Sequence, residues 1–313
     1  MNVLVVGGAG FIGSHLCDAL LEAGDRVVCV DNFSLGTRKN IEHLKNHTAF
    51  KLYEADATDK KKMSEIFREE NVEQVFHLAA NSDIQASAED PEVEYRNTYT
   101  TTFRVLACMR EYHVRKLFFA STSAVYGNKG DELLDENTPN LNPVSYYGAA
   151  KLGSEALISA FSYMNDIDAL VLRFPNVIGP RLTHGVVFDF IHKLEHDNRN
   201  LNILGNGKQR KPYIYVTDLV DAIMKFRAPR ESGVTLYNVG VEGATSVTVI
   251  ADIVCEEMGL KDVVYHYTGG EGGWKGDVPR FRYCVDKIHG AGWKANYTSD
   301  EAVRETVRRN INR

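Results

Sequence analysis

Tyr147 and Lys151 stand four residues apart, so on a helix both side chains share one face. A free phenol, with a pKa of about 10, is a poor base at neutral pH. A neighbouring ammonium favours the phenolate and brings it into the range of general acid–base chemistry. The spacing alone decides little, because Tyr112/Lys116 and Tyr283/Lys287 repeat it in a chain with 15 tyrosines. What singles out Tyr147 is its surroundings. It follows Pro143-Val144-Ser145-Tyr146 and opens a run of small residues, Gly148-Ala149-Ala150, that another backbone can approach closely. Upstream, the apolar run Leu117 to Phe119 leads into Ala120-Ser121-Thr122-Ser123-Ala124-Val125-Tyr126-Gly127, which puts hydroxyls at the carboxyl end of a strand. Ligands bind at that edge in open α/β sheets.

A second chemistry is written in Gly7-Gly8-Ala9-Gly10-Phe11-Ile12-Gly13, directly after the strand-like run Val3 to Val6. Glycines there allow a tight turn and a close approach to a pyrophosphate, and the helix that follows offers free N–H groups. Asp31 ends the second strand, where a carboxylate binds both ribose hydroxyls and repels a 2′-phosphate, so the sequence predicts NAD rather than NADP. Asp56, after the next strand-like run, either receives the adenine amino group or caps a helix. Other patterns carry less. His192-Lys193-Leu194-Glu195-His196 matches a zinc-protease spacing, but Val187, Phe190, Ile191 and Leu194 form an apolar stripe that reads as a packed helix with a polar flank, without metal. His77 reads as a hydrogen-bonded core histidine.

The elements that must position these residues alternate. Val3–Val6, Arg26–Val30, Gln74–Leu78, Lys116–Phe119 and Ala169–Arg173 read as strands, and Ser14–Glu22, Lys60–Glu70 and Thr98–Glu111 as helices between them. This is the α/β pattern of a doubly wound parallel Rossmann-type sheet. The texture changes near Pro175, and Tyr213–Val216 reads as a strand leading into a helix. The expected division is a nucleotide-binding domain over 1–174, rejoined by 209–240, and a smaller lobe over 175–208 and 241–313.

Composition narrows the classes further. The 313 residues carry 36 basic and 42 acidic side chains, a net charge of −6, which supplies no surface for nucleic acid. The basic stretch Arg304 to Arg313 reads as a solvated helix end. Five scattered cysteines without a CxxC pair point to neither a disulfide framework nor a zinc knuckle, and so to a reducing compartment. No basic leader and no run of about 18 apolar residues is present, so the expectation is a cytoplasmic protein with no membrane partner.

Taken together the motifs resemble the extended short-chain dehydrogenase/reductase family, in its NAD-dependent sugar-nucleotide epimerase/dehydratase branch. The likeness covers nearly the whole chain. It rests on the glycine run, Asp31-Asn32-Phe33-Ser34-Leu35-Gly36, Phe76-His77-Leu78-Ala79-Ala80, the Ser121–Gly127 segment and Tyr147/Lys151, then on Arg173–Arg181, Gly207–Ile214 and Gly276-Asp277-Val278-Pro279-Arg280. The resemblance implies that Thr122 hydrogen-bonds the reacting sugar hydroxyl, Tyr147 is the acid/base and Lys151 holds the nicotinamide ribose. It implies NAD contacts from Gly7, Gly10, Phe11, Ile12, Gly13, Asp31, Asn32, Phe33, Ser34 and Gly36. Further contacts come from Asp56, Ala57, Leu78, Ala79, Ala80, Asn97 and Pro175. A nucleoside-diphosphate sugar is the implied substrate, held by Asn176, Lys211, Lys275 and Asp277 besides Thr122. Relatives often carry arginine where Lys211 and Trp274 stand here, and a lysine lacks arginine's bidentate fork.

The implied activity is that of a UDP-hexose 4-epimerase working through a 4-keto sugar, as a homodimer joined through the Tyr147 helix. Related dehydratases carry Asp-Glu where this chain has Ser123-Ala124, and decarboxylating relatives keep the glutamate. A 4,6-dehydratase or a decarboxylase is the alternative within enzymes, and a non-catalytic NAD-sensing module the alternative outside them.

Overall fold

β-Branched side chains fill the first strands, where they pack well on a pleated surface. The computed structural model describes residues 1–228, 232–274 and 276–311. They fall into two units, the first made of 1–125, 145–173 and 220–237, the second of 126–144, 174–219 and 238–313.

In the first unit the strands are β1 (Asn2–Val6), β2 (Arg26–Asp31), β3 (Phe50–Glu54), β4 (Gln74–His77), β5 (Lys116–Thr122), β6 (Asp168–Phe174) and β7 (Val234–Asn238). They form one seven-stranded sheet in the order β7-β6-β5-β4-β1-β2-β3, so the chain reverses direction of growth between β1 and β4. The helices are α1 (Phe11–Glu22), α2 (Lys60–Glu70), α3 (Ile84–Ser87), α4 (Glu92–Glu94), α5 (Thr101–Glu111) and α6 (Tyr146–Asn165). This is the doubly wound α/β sheet of the Rossmann type.

Register is what gathers the site. Val6 of β1 lies opposite Val30 of β2 and His77 of β4, and His77 lies opposite Phe119 of β5, all in parallel pairing. The next residue along each strand is therefore Gly7, Asp31, Leu78 or Ala120, and all four emerge at one carboxyl edge. Beneath that edge Leu4, Val6, Val28, Val75, Leu106, Phe119 and Ile158 are buried in one cluster with α2, α5 and α6. Full burial of a side chain of this kind contributes about 1.5–3 kcal/mol.

The helix expected over Thr98–Glu111 is interrupted. Tyr95–Thr100 forms a π-turn between α4 and α5. The strand Tyr213–Tyr215 does not rejoin the main sheet but pairs with Asn176–Ile178 in the second unit. The chain re-enters the first unit at Val220, inside the helix Val216–Phe226, and β7 completes the sheet. Segment 126–144, expected in the nucleotide domain, belongs to the second unit.

The second unit is built from short ladders. Val264–Tyr267 pairs with Asn200–Ile203, Arg282–Tyr283 with Leu133–Leu134, and Arg210–Lys211 with Thr245–Ser246. Helices Val186–His196, Val247–Glu257 and Ser299–Ile311 pack on one another. The basic C-terminal helix is not merely solvated: Arg304 binds Glu256 and Glu257, and Arg308 binds Glu257. Among the described residues no helix is long and apolar enough to cross a membrane.

Candidate active site

The glycine turn is forced by its neighbours. Gly7 has φ +87°, and a Cβ there would stand 2.6 Å from the Ala79 backbone nitrogen. On Gly13 a Cβ would meet the Gly7 carbonyl oxygen at 2.1 Å, so α1 could not pack this close to β1 with any other residue. Gly10 caps α1 in an extended conformation and brings no side chain to the first-turn N–H groups. Those groups remain for an anion, as phosphate sites at helix N-termini require.

Asp31 organises the same turn. Its carboxylate accepts N–H bonds from Ala9 at 2.9 Å and Phe33 at 2.8 Å. Burial pushes the Asp31 carboxyl upward, while the N–H groups of Phe33, Ala9 and Gly10 oppose the shift. Two carboxylate oxygens offer about four acceptor directions, so capacity is left for ribose hydroxyls. Phe33 has φ +57° and lies 4.4 Å beneath the Arg38 guanidinium, with Asn32 and Ser34 exposed beside it and Gly36 against the Asp31 oxygens. Leu78 and Ala79 both donate to the Val6 carbonyl, and Ala80 is half-buried after them. Asp56 binds the Thr58 N–H and hydroxyl at 2.8 and 2.7 Å, next to the buried Ala57. It does not cap α2: that role is taken by Asp59, which accepts from the Lys62 N–H.

The chemistry-bearing residues of this unit come together. Ser145 caps α6 by accepting from the Gly148 N–H at 3.1 Å, and Tyr147 and Lys151 follow on the same helix. The other two tyrosine–lysine pairs do not share a helix: Tyr112 is the C-cap that follows α5 and Lys116 opens β5, while Tyr283 is on a strand and Lys287 on the next helix. The Thr122 hydroxyl donates to the Tyr147 phenol and itself accepts the Ala124 N–H at 3.2 Å. Lys151 is 2% exposed; its ammonium donates to the Ala120 carbonyl at 2.7 Å and lies 4.7 Å above the Phe119 ring.

Burial dominates the electrostatics. It raises the Tyr147 phenol well above its ordinary value, Glu94 raises it further, and the Thr122 hydrogen bond opposes both. Burial pulls Lys151 down to about 8 against the restoring charges of Glu94 and Glu155. His77 is pushed down to about 3 by burial and then by Lys151, so it is neutral, hydrogen-bonded to Thr102 at 3.0 Å. It is the core histidine the sequence suggested.

The patterns singled out at Asn97 and at the second unit's residues are less tightly drawn. Asn97 is half-buried in the π-turn; its neighbour Thr98 and the carboxylate Glu94, neither marked by the sequence, point into a buried polar cluster with Asn81. No periodicity flags a buried acid in the polar run Asp90–Arg96. In the second unit Pro175 is buried, and the exposed Asn176 hydrogen-bonds the Tyr213 phenol. Lys211 forms a salt bridge with Asp277 at 2.5 Å, and Arg210 donates to the Ala244 carbonyl. Lys275 lies outside the described residues. His192 and His196 are exposed and bound to backbone carbonyls one turn back, and among the described residues no metal-binding cluster occurs.

A parallel sheet with a glycine turn, an acid at the end of β2 and a Thr–Tyr–Lys set gathered on β5 and α6 defines an NAD-dependent enzyme of the dehydrogenase/reductase type. The model of the NAD dependent epimerase/dehydratase family matches residues 3–240, and the chain belongs to that family. The UDP-glucose 4-epimerase of Mycolicibacterium smegmatis is 32% identical over 313 residues, covering 98% of this chain and 97% of that protein. The human dTDP-D-glucose 4,6-dehydratase is 28% identical over 314 residues, covering 98% and 89%. The crystal structure of Thermus thermophilus UDP-glucose 4-epimerase with NAD is 30% identical, covers 99% of this chain and 98% of that one, and superposes with a TM-score of 0.88. The cofactor of this chain is NAD, and the uncapped helix terminus, the glycine turn and Asp31 are the residues that fit it.

Proposed function

We propose that the chain is a nucleoside-diphosphate-sugar 4-epimerase whose substrate is a UDP-hexose of the glucose/galactose type. The observation that carries this reading is the hydrogen-bonded Thr122–Tyr147 pair beside Lys151, followed by Ser123-Ala124, where no side chain is an acid or base at neutral pH. Tyr147 takes the proton of the sugar 4-hydroxyl and later returns it. Thr122 orients that hydroxyl, and the Lys151 ammonium stabilises the phenolate. The glycine turn and Asp31 would hold NAD, which would supply a hydride acceptor for C4 and the same hydride for return to the opposite face of the turned sugar. The first unit is then the cofactor domain and the second the sugar-nucleotide lobe, with Asn176, Lys211, Asp277 and Lys275 assigned to the diphosphate and nucleoside.

The names of the relatives support both an epimerase and a dehydratase, and the residues after Thr122 favour the first. A dehydratase must remove the C5 proton and protonate the departing C6 hydroxyl, and alanine can transfer neither. With UDP-[4-²H]-glucose, deuterium stays at C4 in the galacto product and never reaches C6, and incubation in D₂O leaves C5 unlabelled. A 4-keto-6-deoxy product, or solvent deuterium at C5, assigns the dehydratase instead. Product NMR over UDP-, dTDP-, GDP- and CDP-sugars fixes the base. The reading includes a homodimer through α6, whose Tyr163 and Met164 are 89% and 75% exposed, testable by light scattering. It also includes a cytoplasmic location, supported by five free thiols.

A further inference from the structure

Glu94 is a carboxylate 1% exposed to solvent, on the three-residue helix α4 just before the π-turn. Its oxygens accept the Asn81 amide at 2.8 Å and the Thr98 hydroxyl at 2.7 Å, and the Asn81 backbone N–H donates to Thr98 at 3.1 Å. Both side-chain donors are neutral. They satisfy the carboxylate without cancelling its charge, and a buried charge of this kind acts strongly on its neighbours. Asn81 follows Leu78-Ala79-Ala80 off β4, while α4 and the π-turn both pack against α6, the helix that carries Tyr147 and Lys151. The packing is tight: the Tyr99 ring lies where a Cβ on Gly153 would come within 3.0 Å.

We propose that Glu94 is a positioning residue of the Tyr147–Lys151 pair, its buried carboxylate serving as the fixed counter-charge against which both groups hold their protons. The proposal rests on the reading of Tyr147 as the acid/base. The carboxylates that act on the pair are Glu94 from α4 and Glu155 from α6 itself; the Thr122 hydroxyl of β5 lies alongside Tyr147, His77 of β4 feels the Lys151 charge, and the π-turn brings the Tyr99 phenol ring against Gly153. His77 stays neutral, and Glu155 is engaged by Arg173 at 2.6 Å, which leaves Glu94 as the carboxylate acting on tyrosine and lysine alike. Its charge raises the proton affinity of each. Without it, the tyrosine ionises at lower pH, and the lysine loses its proton at lower pH too.

The test is the pH profile of kcat/KM for epimerisation, measured on the NAD-loaded protein. In Glu94→Gln both limbs of the bell move toward acid by about one pH unit, the scale set by one nearby charge. Glu94→Asp keeps the charge, so its profile stays at the wild-type position even where the rate is lower. Should Glu94→Gln fail to fold, Glu94→Met removes the charge without needing donors, and must give the same acid shift. A neutral variant that folds and loses rate evenly, with its profile unmoved, overturns the proposal and leaves Glu94 a structural residue. Tyr147→Phe is run in parallel. If it keeps wild-type rates, the acid/base reading itself fails; if it is inactive while the Glu94 profiles do not move, only the present inference fails.

Discussion

The two units place their polar residues by different means. In the first, a continuous parallel register brings Gly7, Asp31, Leu78 and Ala120 to one edge, although they lie far apart in sequence. Each is held by several strands at once, and the side chains beyond them stand on buried backbone. In the second, Asn176 and Lys211 stand on ladders two or three residues long, and Asp277 on a loop, tied by the Lys211 salt bridge, the Gly273 N–H on Asp277 and the Asn176–Tyr213 contact. Substitution in the first unit should therefore change chemistry and leave the fold standing. Substitution in the second should change binding and local order together.

The sharpest challenge to that contrast is Tyr147→Phe. Turnover falls by at least about 10²-fold, the usual scale for an acid–base group, while circular dichroism and NAD binding stay near wild type. Tyr112→Phe and Tyr283→Phe, the partners in the other two spacings, leave turnover within a few-fold. Next in size is Asp31→Ala. By isothermal titration NAD binds about tenfold or more weakly, and discrimination against NADP relaxes because the repelling carboxylate is gone. A wild-type protein that already prefers NADP would break the account of β2.

In the second unit, Lys211→Met leaves Asp277 nearly buried and unpaired by any cation from position 211. KM for the sugar nucleotide rises about tenfold with kcat within a few-fold, the pattern for lost uniform binding, and Tm falls measurably. A kcat loss with unchanged KM would move Lys211 into the chemistry and erase the contrast.

Two smaller effects test the frame of the first unit. Glu70 is held by Arg26 and Lys51; burial would raise its carboxyl, but hydrogen bonds from Lys51, Tyr53 and Arg26 outweigh this and bring it down to about 2. A carboxyl lowered from an unfolded value of about 4.3 lends stability that is complete above that value and lost as pH falls toward 2. In Glu70→Gln the Tm loses that acid dependence between those limits. Ser145→Ala removes the cap of α6 and costs about 1 kcal/mol, a drop of roughly 2–4 °C in Tm by calorimetry.

Much of the first unit was legible because its signals are local. Valine-rich runs marked β1 and β2, and the apolar period marked α2 over the residues it occupies, Lys60–Glu70. The glycine turn, Asp31 and the Thr122/Tyr147/Lys151 set could be read because residue type and spacing there are tied to backbone geometry. Other features had no such marker. Tyr213–Tyr215 is as rich in aromatic and β-branched residues as a central strand, and its sequence does not reveal that it pairs with Asn176–Ile178 in a two-stranded ladder among the described residues. Ladders of two residues are too short to show a period of two. Glu94 was invisible for a different reason: its burial is created by Asn81 and Thr98, which reach it from a strand end and a π-turn, and an acid amid acids looks like a solvated surface.

The π-turn at Tyr95–Thr100 marks the place where this stretch of chain can change length. A π-turn carries one residue beyond the count of an α-helix, and its wider winding absorbs that residue within a single turn. Deleting a single residue there would let the backbone close into regular α-helix with α4 still in phase with α5. The same deletion inside α5 has no surplus to draw on, and would rotate everything before it by about 100°. Glu94 would then swing away from the face that Asn81 reaches, with every other residue type unchanged. In a deletion scan of the chain, a one-residue shortening across Tyr95, Arg96 and Asn97 should therefore be tolerated far better than one in Thr101–Glu111.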